Sequence, residues 1–291
     1  MESIGCIVCG NRKTTPYIEV LDRLSQNSET FQLVKCDCNF VFLNPRPTAD
    51  EISTYYNSTD YDPHNVKKND KWGRLYKCIQ KATLRWKFSK IASFYSNGKL
   101  LDIGGGNGEF TSFMALKGWD VVLQDNISNL NGINETKGVQ KVENLQMIKS
   151  TEHFNVITLW HSLEHIHNIE ELFSNLNRML TIDGILLIAV PNLKAPENTF
   201  YSTNWAPFDA PRHLYHFQLE TLDNLIKKSN FKIVRKYSLF QDTPYNILLS
   251  MANLTPFQFI KGIFVLCYSI IVTLLNGPDQ SSSLLVICKK A

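Results

Sequence analysis

The stretch Leu100-Leu101-Asp102-Ile103-Gly104-Gly105-Gly106-Asn107-Gly108 constrains the fold more than any other part of the chain. A short apolar run ends beside an acid, glycines crowd the next five positions, and helical spacing resumes at Phe110. A strand that empties into glycine and then into a helix opens a βαβ unit, where absent Cβ atoms let a ligand press on the backbone. The dinucleotide pattern G-x-G-x-x-G fails here, because its last position falls on Glu109 or Thr111. D-x-G-x-G-x-G fits instead, and Asp102 at the strand end would repel a pyrophosphate. Asp125 closes the next apolar run, where a carboxylate can accept two hydrogen bonds from a ribose diol.

The same alternation continues along the chain. Lys99 to Ile103, Trp119 to Leu123, Val156 to Leu159 and Ile185 to Val190 read as strands, and Phe110 to Lys117 reads as a helix. Trp72 to Tyr95 carries apolar residues at helical spacing and stops at Asn97-Gly98. Phe231 to Tyr237 and Leu284 to Cys288 read as late strands. The pattern predicts an α/β protein with a parallel, doubly wound sheet. A chain of 291 residues has room for an appendage beside such a domain. We divide it into a cysteine-bearing module at 1–48, a helical connector at 49–97 with tyrosines at Tyr55, Tyr56 and Tyr61, and the α/β domain at 98–291, with an apolar insert at about 254–277.

On these residues the chain resembles class I S-adenosylmethionine-dependent methyltransferases. The likeness rests on the glycine loop, Asp125, Trp160-His161-Ser162-Leu163-Glu164-His165, the run Gly184 to Pro191-Asn192, and Pro211-Arg212-His213-Leu214-Tyr215-His216-Phe217. The last segment is similar to one in bacterial enzymes associated with sugars and polysaccharides. The resemblance implies a Rossmann-like sheet of seven strands, mostly parallel, with the last strand antiparallel. It implies S-adenosylmethionine as cofactor, with Asp102, Gly104, Gly105, Gly106, Asn107 and Gly108 at its methionine and sulfonium end. Asp125 would lie at the ribose; Asn126 and Trp160 are further cofactor-binding candidates, and Asn144, after the third strand, is a candidate beside the adenine. Gly105 departs from the cysteine, serine or alanine usual there.

Cys6-x-x-Cys9-Gly10 has the form of a metal knuckle, and Cys36-x-Cys38 supplies a second, tighter pair. The same resemblance includes a zinc ribbon running into Asn-Pro-Arg-Pro, as at Asn44 to Pro47, although its second pair is usually C-x-x-C. The expectation is a zinc-ribbon-like module with a structural zinc on Cys6, Cys9, Cys36 and Cys38; two pairs of buried thiols are the alternative. Seven cysteines is an odd count, and Met1 to Cys6 shows no basic segment leading into an apolar one, so we expect a reducing, cytoplasmic setting.

A methyl group on a sulfonium is already electrophilic, so the enzyme has mainly to place a nucleophile and remove its proton. His161, His165, His167, His213 and His216 fall in two segments that follow sheet strands, where open α/β sheets bind ligands. His213 or His216 is the expected base, with His161 next and Arg212 holding an anionic group of the acceptor. Alternatively, His161, Glu164 and His165 bind a divalent metal, since ubiquinone-type O-methyltransferases resemble this stretch but carry an acid where His161 stands. A net charge of +3, with no basic block longer than pairs such as Lys67-Lys68 and Lys227-Lys228, argues against a nucleic-acid partner. The uncharged run after Lys261 is short for a spanning helix, leaving a core helix, a dimer interface or an element on the inner face of the membrane. The expected activity is O-methylation of a saccharide or lipid-linked saccharide in surface polysaccharide biosynthesis. The alternatives are a small phenol or quinone precursor as acceptor, or a zinc-ribbon binding protein on a degenerate methyltransferase scaffold.

Overall fold

Period-two alternation sorts the central strands onto two buried faces. Ile185, Leu187 and Ala189 join one core layer, and Leu186, Ile188 and Val190 join the other. All six are fully buried. A strand apolar on both faces belongs in the middle of a sheet covered on both sides.

The computed structural model describes residues 1–24, 29–56, 71–126, 130, 138–251 and 255–291, with the backbone alone over 71–77. Tyr61, Lys67 and Lys68, and the first residue of the expected insert, lie outside the described residues. The strands are β1 (Thr14–Leu21), β2 (Thr30–Cys36), β3 (Val41–Leu43), β4 (Lys99–Ile103), β5 (Asp120–Gln124), β6 (Val139–Val142), β7 (Phe154–Trp160), β8 (Leu180–Pro191), β9 (Tyr215–His216), β10 (Phe231–Ser238) and β11 (Ser283–Lys290). The α-helices are α1 (Lys71–Ala92), α2 (Glu109–Leu116), α3 (Ile169–Met179), α4 (Pro196–Tyr201), α5 (Leu219–Lys228), α6 (Asp242–Ser250) and α7 (Pro256–Asn276).

The main sheet has seven strands in the order β10-β11-β8-β7-β4-β5-β6. From β8 to β6 every pairing is parallel, and β11 runs antiparallel to both β8 and β10. This is the expected mostly parallel, Rossmann-like sheet with an antiparallel last strand. The parallel order brings the carboxyl ends of β4, β5 and β7 together at one edge.

The N-terminal segment forms a second sheet, β1-β2-β3-β9, and its last strand comes from far along the chain. The division drawn at residue 48 is therefore crossed by backbone pairing of Val41 with His216 and Phe42 with Tyr215. Two buried arginines reinforce the junction. Arg46 donates to Glu2 Oε1 at 2.8 Å and to the Tyr215 hydroxyl at 2.6 Å. Arg212, fully buried, donates to Asp22 at 2.8 Å, to Asp209 at 2.7 Å and to the Tyr55 carbonyl at 3.2 Å.

These contacts correct the expected role of Arg212, whose guanidinium is committed to holding the two sheets together and presents nothing to an acceptor. Burial opposes its charge, but the Asp209 and Asp22 carboxylates raise its pKa further still. Removing one partner of such a buried pair leaves an uncompensated charge. Arg212→Met should accordingly lower unfolding free energy by about 3–5 kcal/mol in urea titrations.

Candidate functional site

The glycine loop is shaped by what surrounds it. Gly104, Gly106 and Gly108 have φ of 67°, 55° and 72°, the left-handed region that glycine enters without strain. A Cβ on Gly104 would lie 2.5 Å from that of Ser162, and one on Gly105 would lie 2.3 Å from Leu123 Cδ1 and 2.6 Å from Asp102 Oδ2. The departure at 105 thus suits the neighbours this chain has. A Cβ at Gly106 would meet nothing within 4 Å, so the loop is open there.

Asp125, at the end of β5, accepts from the Gly106 amide at 2.6 Å and the Asn126 amide at 2.7 Å. Its carboxylate closes the loop onto the strand edge. Asp102 is buried and accepts from Thr158 Oγ1 at 2.5 Å. Burial raises its pKa to about 7, against the opposing pull of Thr158 and the Lys87 charge. Asn107 accepts from the Glu109 amide at 3.3 Å. Asn144, following β6, is exposed and caps a short 3₁₀ turn through the Met147 amide.

Trp160 ends β7 and meets Phe110 edge to face at 5.5 Å. The Lys87 ammonium sits 4.3 Å from the centre of the Trp160 ring, near enough to Asp102 and Asp242 to feel both charges. That ring already holds a cation on its face. An open loop, a buried acid and an aromatic face that accepts positive charge fit the sulfonium and ammonium of S-adenosylmethionine, and Asp125 fits its ribose. Lys87 and Asp242 escaped sequence reasoning, because each is one charge in an otherwise ordinary helix.

The histidines separate. His161 has φ of 54°, and its Nε2 lies 2.9 Å from Asp242 Oδ2 while Nδ1 lies 3.6 Å from Glu164 Oε1. Burial opposes the charged ring, but Asp242 outweighs it and lifts the His161 pKa to about 10. The ring is an imidazolium at neutral pH. His216 is buried in β9 against Phe208, its Nε2 has no partner among the described residues, and burial drives its pKa down to about 3.

His213 is different. Its Nδ1–H donates to the Pro207 carbonyl at 2.7 Å, and its Nε2 lies 4.0 Å from Asp209 Oδ2. His165 lies 4.6 Å away ring to ring, with Nδ1 beside the Tyr56 hydroxyl at 2.9 Å and the Arg212 carbonyl at 3.0 Å. Burial lowers its pKa to about 4. His167 donates to the Pro47 carbonyl, outside this group. Ligand-type atoms of Glu164, His165 and His213 lie within 4.8 Å of one another. Among the described residues this trio, rather than His161 with Glu164 and His165, is compact enough for a cation; the paired His161 has no lone pair to offer.

The four N-terminal cysteines also converge. Their sulfurs lie within 4.8 Å of one another, with Cys6–Cys38 and Cys9–Cys36 each at 3.5 Å. Tetrahedral zinc with bonds of about 2.3 Å places its thiolates about 3.8 Å apart, so the cluster fits. The short second knuckle closes because Asn39, with φ of 66°, takes the left-handed position that Gly10 takes in the first.

Fold and loop together define a class I S-adenosylmethionine-dependent methyltransferase. Residues 76–236 match the profile of a family described as a methyltransferase domain, and the chain belongs to that family. The ubiquinone biosynthesis O-methyltransferase of Rickettsia canadensis (strain McKiel) is 26% identical over 186 residues, spanning 54% of this chain and 77% of that protein. The protein of the same name from Rickettsia prowazekii (strain Madrid E) is 25% identical over 179 residues, spanning 53% and 70%. Among solved structures, mycolic acid cyclopropane synthase CmaA1, complexed with SAH and CTAB, superposes with a TM-score of 0.50 at 15% identity, over 72% of this chain and 84% of that one.

The His161–Asp242 pair carries a pH signature. Because the folded-state pKa is raised, its stabilisation is fully present below the unfolded value near 6.5 and is lost as pH rises through about 10. In Asp242→Asn the His161 ring should titrate by NMR about 1–3 units lower than in the unaltered protein. An unchanged titration would show that Asp242 is not what holds the proton.

Proposed function

We propose that the chain methylates a hydroxyl oxygen and that His213 is the general base. The observation that carries this reading is the placement of His213: its Nδ1–H donates to the Pro207 carbonyl, so Nε2 is the nitrogen available to handle a substrate proton, in a cluster with Glu164 and His165. A contiguous path links that nitrogen to the glycine loop, from Gly104 against Ser162, through His161 and Glu164, to His213. S-adenosylmethionine, when bound, supplies an electrophilic methyl group on a sulfonium. Asp102 with Gly104, Gly105, Gly106, Asn107 and Gly108 would hold its methionine end. Asp125 and Asn126 would hold the ribose, with Trp160 and Asn144 toward the adenosyl group. His213 Nε2 would take the hydroxyl proton as the oxygen attacks, while Asp209 stabilises the resulting imidazolium.

The acceptor class follows from different supports. A phenol or quinone precursor is favoured by the Rickettsia relatives, which are named as ubiquinone biosynthesis O-methyltransferases. A saccharide hydroxyl, free or lipid-linked, is the second reading. It is favoured by the placement of a base, since an alcohol gives up its proton far less readily than a phenol.

One series tests both. His213→Ala should leave S-adenosylhomocysteine affinity unchanged and lower turnover by about 10²–10⁴-fold with an alcohol acceptor, and by less with a phenol. Undiminished turnover with both acceptors removes His213 as base. Activity abolished by a chelator and restored by magnesium would assign His213 to a cation with Glu164 and His165.

The cysteine cluster would hold one structural zinc, since four thiolates leave no open position for chemistry. Elemental analysis should find about one zinc per chain, and Cys36→Ser with Cys38→Ser should lower the thermal midpoint by more than about 5 °C. Metal-free protein of equal stability would leave the cluster as buried thiols.

A further inference from the structure

Helix α7 is built inside out. Its protein-facing residues are small or hydroxyl-bearing: Gly262, Val265, Ser269 and Thr273 are buried. A Cβ on Gly262 would lie 2.0 Å from the terminal methyl of Met251, so this face of the helix packs closely on that side chain. Its outer residues are large and apolar. Phe257, Ile260, Ile263, Phe264, Ile271 and Leu274 are 74%, 67%, 50%, 60%, 56% and 69% exposed. Lys261 is the only charged residue of the helix, and it turns inward to the Phe200 carbonyl at 3.1 Å and over the Tyr201 ring. Leu248 and Leu249 of α6, which packs against it, are exposed as well. The most apolar 18-residue window within 256–280 has a mean hydropathy of 2.0, and 22% of that window is buried.

We propose that this face seats the protein on a lipid surface, with α7 lying in the plane of the interface. At 3.6 residues per turn the outer apolar side chains cover about 180° of the helix, uninterrupted by charge. One partner helix covers a stripe of about 100°, and protein interfaces end in a polar rim. Among the described residues of α7 the exposed apolar side chains run from one side of the buried seam round to the other, and the one charged residue, Lys261, turns inward. A second copy of the chain would leave much of it wet, whereas a lipid phase covers all of it.

Crossing the bilayer is excluded by the attachments at both ends. Before α7, Asn246 and Ser250 of α6 are bonded to Ser282 and to the Ala206 amide; after it, the chain enters β11 in the middle of the sheet. The helix, about 31 Å long, lies along the protein and not out of it. Its bearing on the reaction rests on the function proposed above. Asp242, which pairs with His161, begins α6, so the site lies within two helices of the apolar face and would open toward an acceptor dissolved in lipid.

The test is flotation of the full chain with vesicles of phosphatidylethanolamine and phosphatidylglycerol, with no acceptor present, so that the outcome is independent of the chemistry. The protein should float with the vesicles and remain bound at high salt, because the attraction is apolar. Ile260→Glu with Ile271→Glu should reduce the bound fraction at least tenfold, with thermal midpoint and S-adenosylhomocysteine binding unchanged. Wild-type protein that stays in the lipid-free fraction overturns the proposal. So does a dimer that these substitutions split and that never binds vesicles, which would assign the face to a second copy. Should the glutamate variant misfold, Ile260→Trp fluorescence must be quenched by lipids with brominated chains, and the absence of quenching refutes the seat.

Discussion

The close approach of the glycine loop to the turn after β7 governs the rest of the molecule. Gly104 and Ser162 touch where no second Cβ fits, and Ser162 Oγ donates to the Ile103 carbonyl at 2.8 Å. With β4 and β7 paired so that Asp102 stands beside Thr158, the chain leaving β7 has one way to turn. His161 takes a left-handed backbone, Glu164 is driven fully into the interior, and Leu214 donates its amide to the Glu164 carbonyl. That last bond brings in the 211–217 segment, whose Tyr215 and His216 complete the N-terminal sheet. One steric contact therefore ties the glycine loop, the histidine cluster and the cysteine-bearing module into a single body.

Burying this much charge is tolerable only through mutual pairing. Arg212 is neutralised by Asp22 and Asp209, His161 by Asp242, and Lys87 lies in reach of Asp102 and Asp242. Burial opposes the charge on every one of these cations, and in the first two the carboxylate partner prevails. The site thus rests at a balance that cationic cofactor groups can shift. His216, buried, and His165, half-buried, have no carboxylate at hydrogen-bond distance among the described residues and are pushed the other way, toward the neutral form. Identical side chains a few residues apart acquire different chemistry from their neighbours alone.

The outer helix obeys the same packing physics with its faces exchanged. In α3 the apolar residues Leu172, Phe173 and Leu176 face the core, as in any helix that packs on a sheet. In α7 the small residues face inward because α4 and α6 lie close, and the large ones are left outside. Hydropathy alone does not separate these cases; which face meets the protein does.

The sequence by itself determined the sheet, because glycines with positive φ, period-two apolar runs and helical spacing are local signals that survive without neighbours. It also located Asp102, the glycines and Asp125 at the ends of neighbouring strands, since these residues close apolar runs at fixed intervals. What each histidine does was decided only by tertiary structure. Nothing local distinguishes His213 from His216; one is held through Nδ1 by the Pro207 carbonyl and clusters with Glu164 and His165, and the other is sealed in β9 behind Phe208. Arg212 reads as a ligand for anions until the fold brings Asp22 from 190 positions away. Lys87 and Asp242 join the site through long-range packing that leaves no trace in spacing. Short-range geometry is written in the chain, whereas charge state depends on which groups the fold brings within a few ångströms.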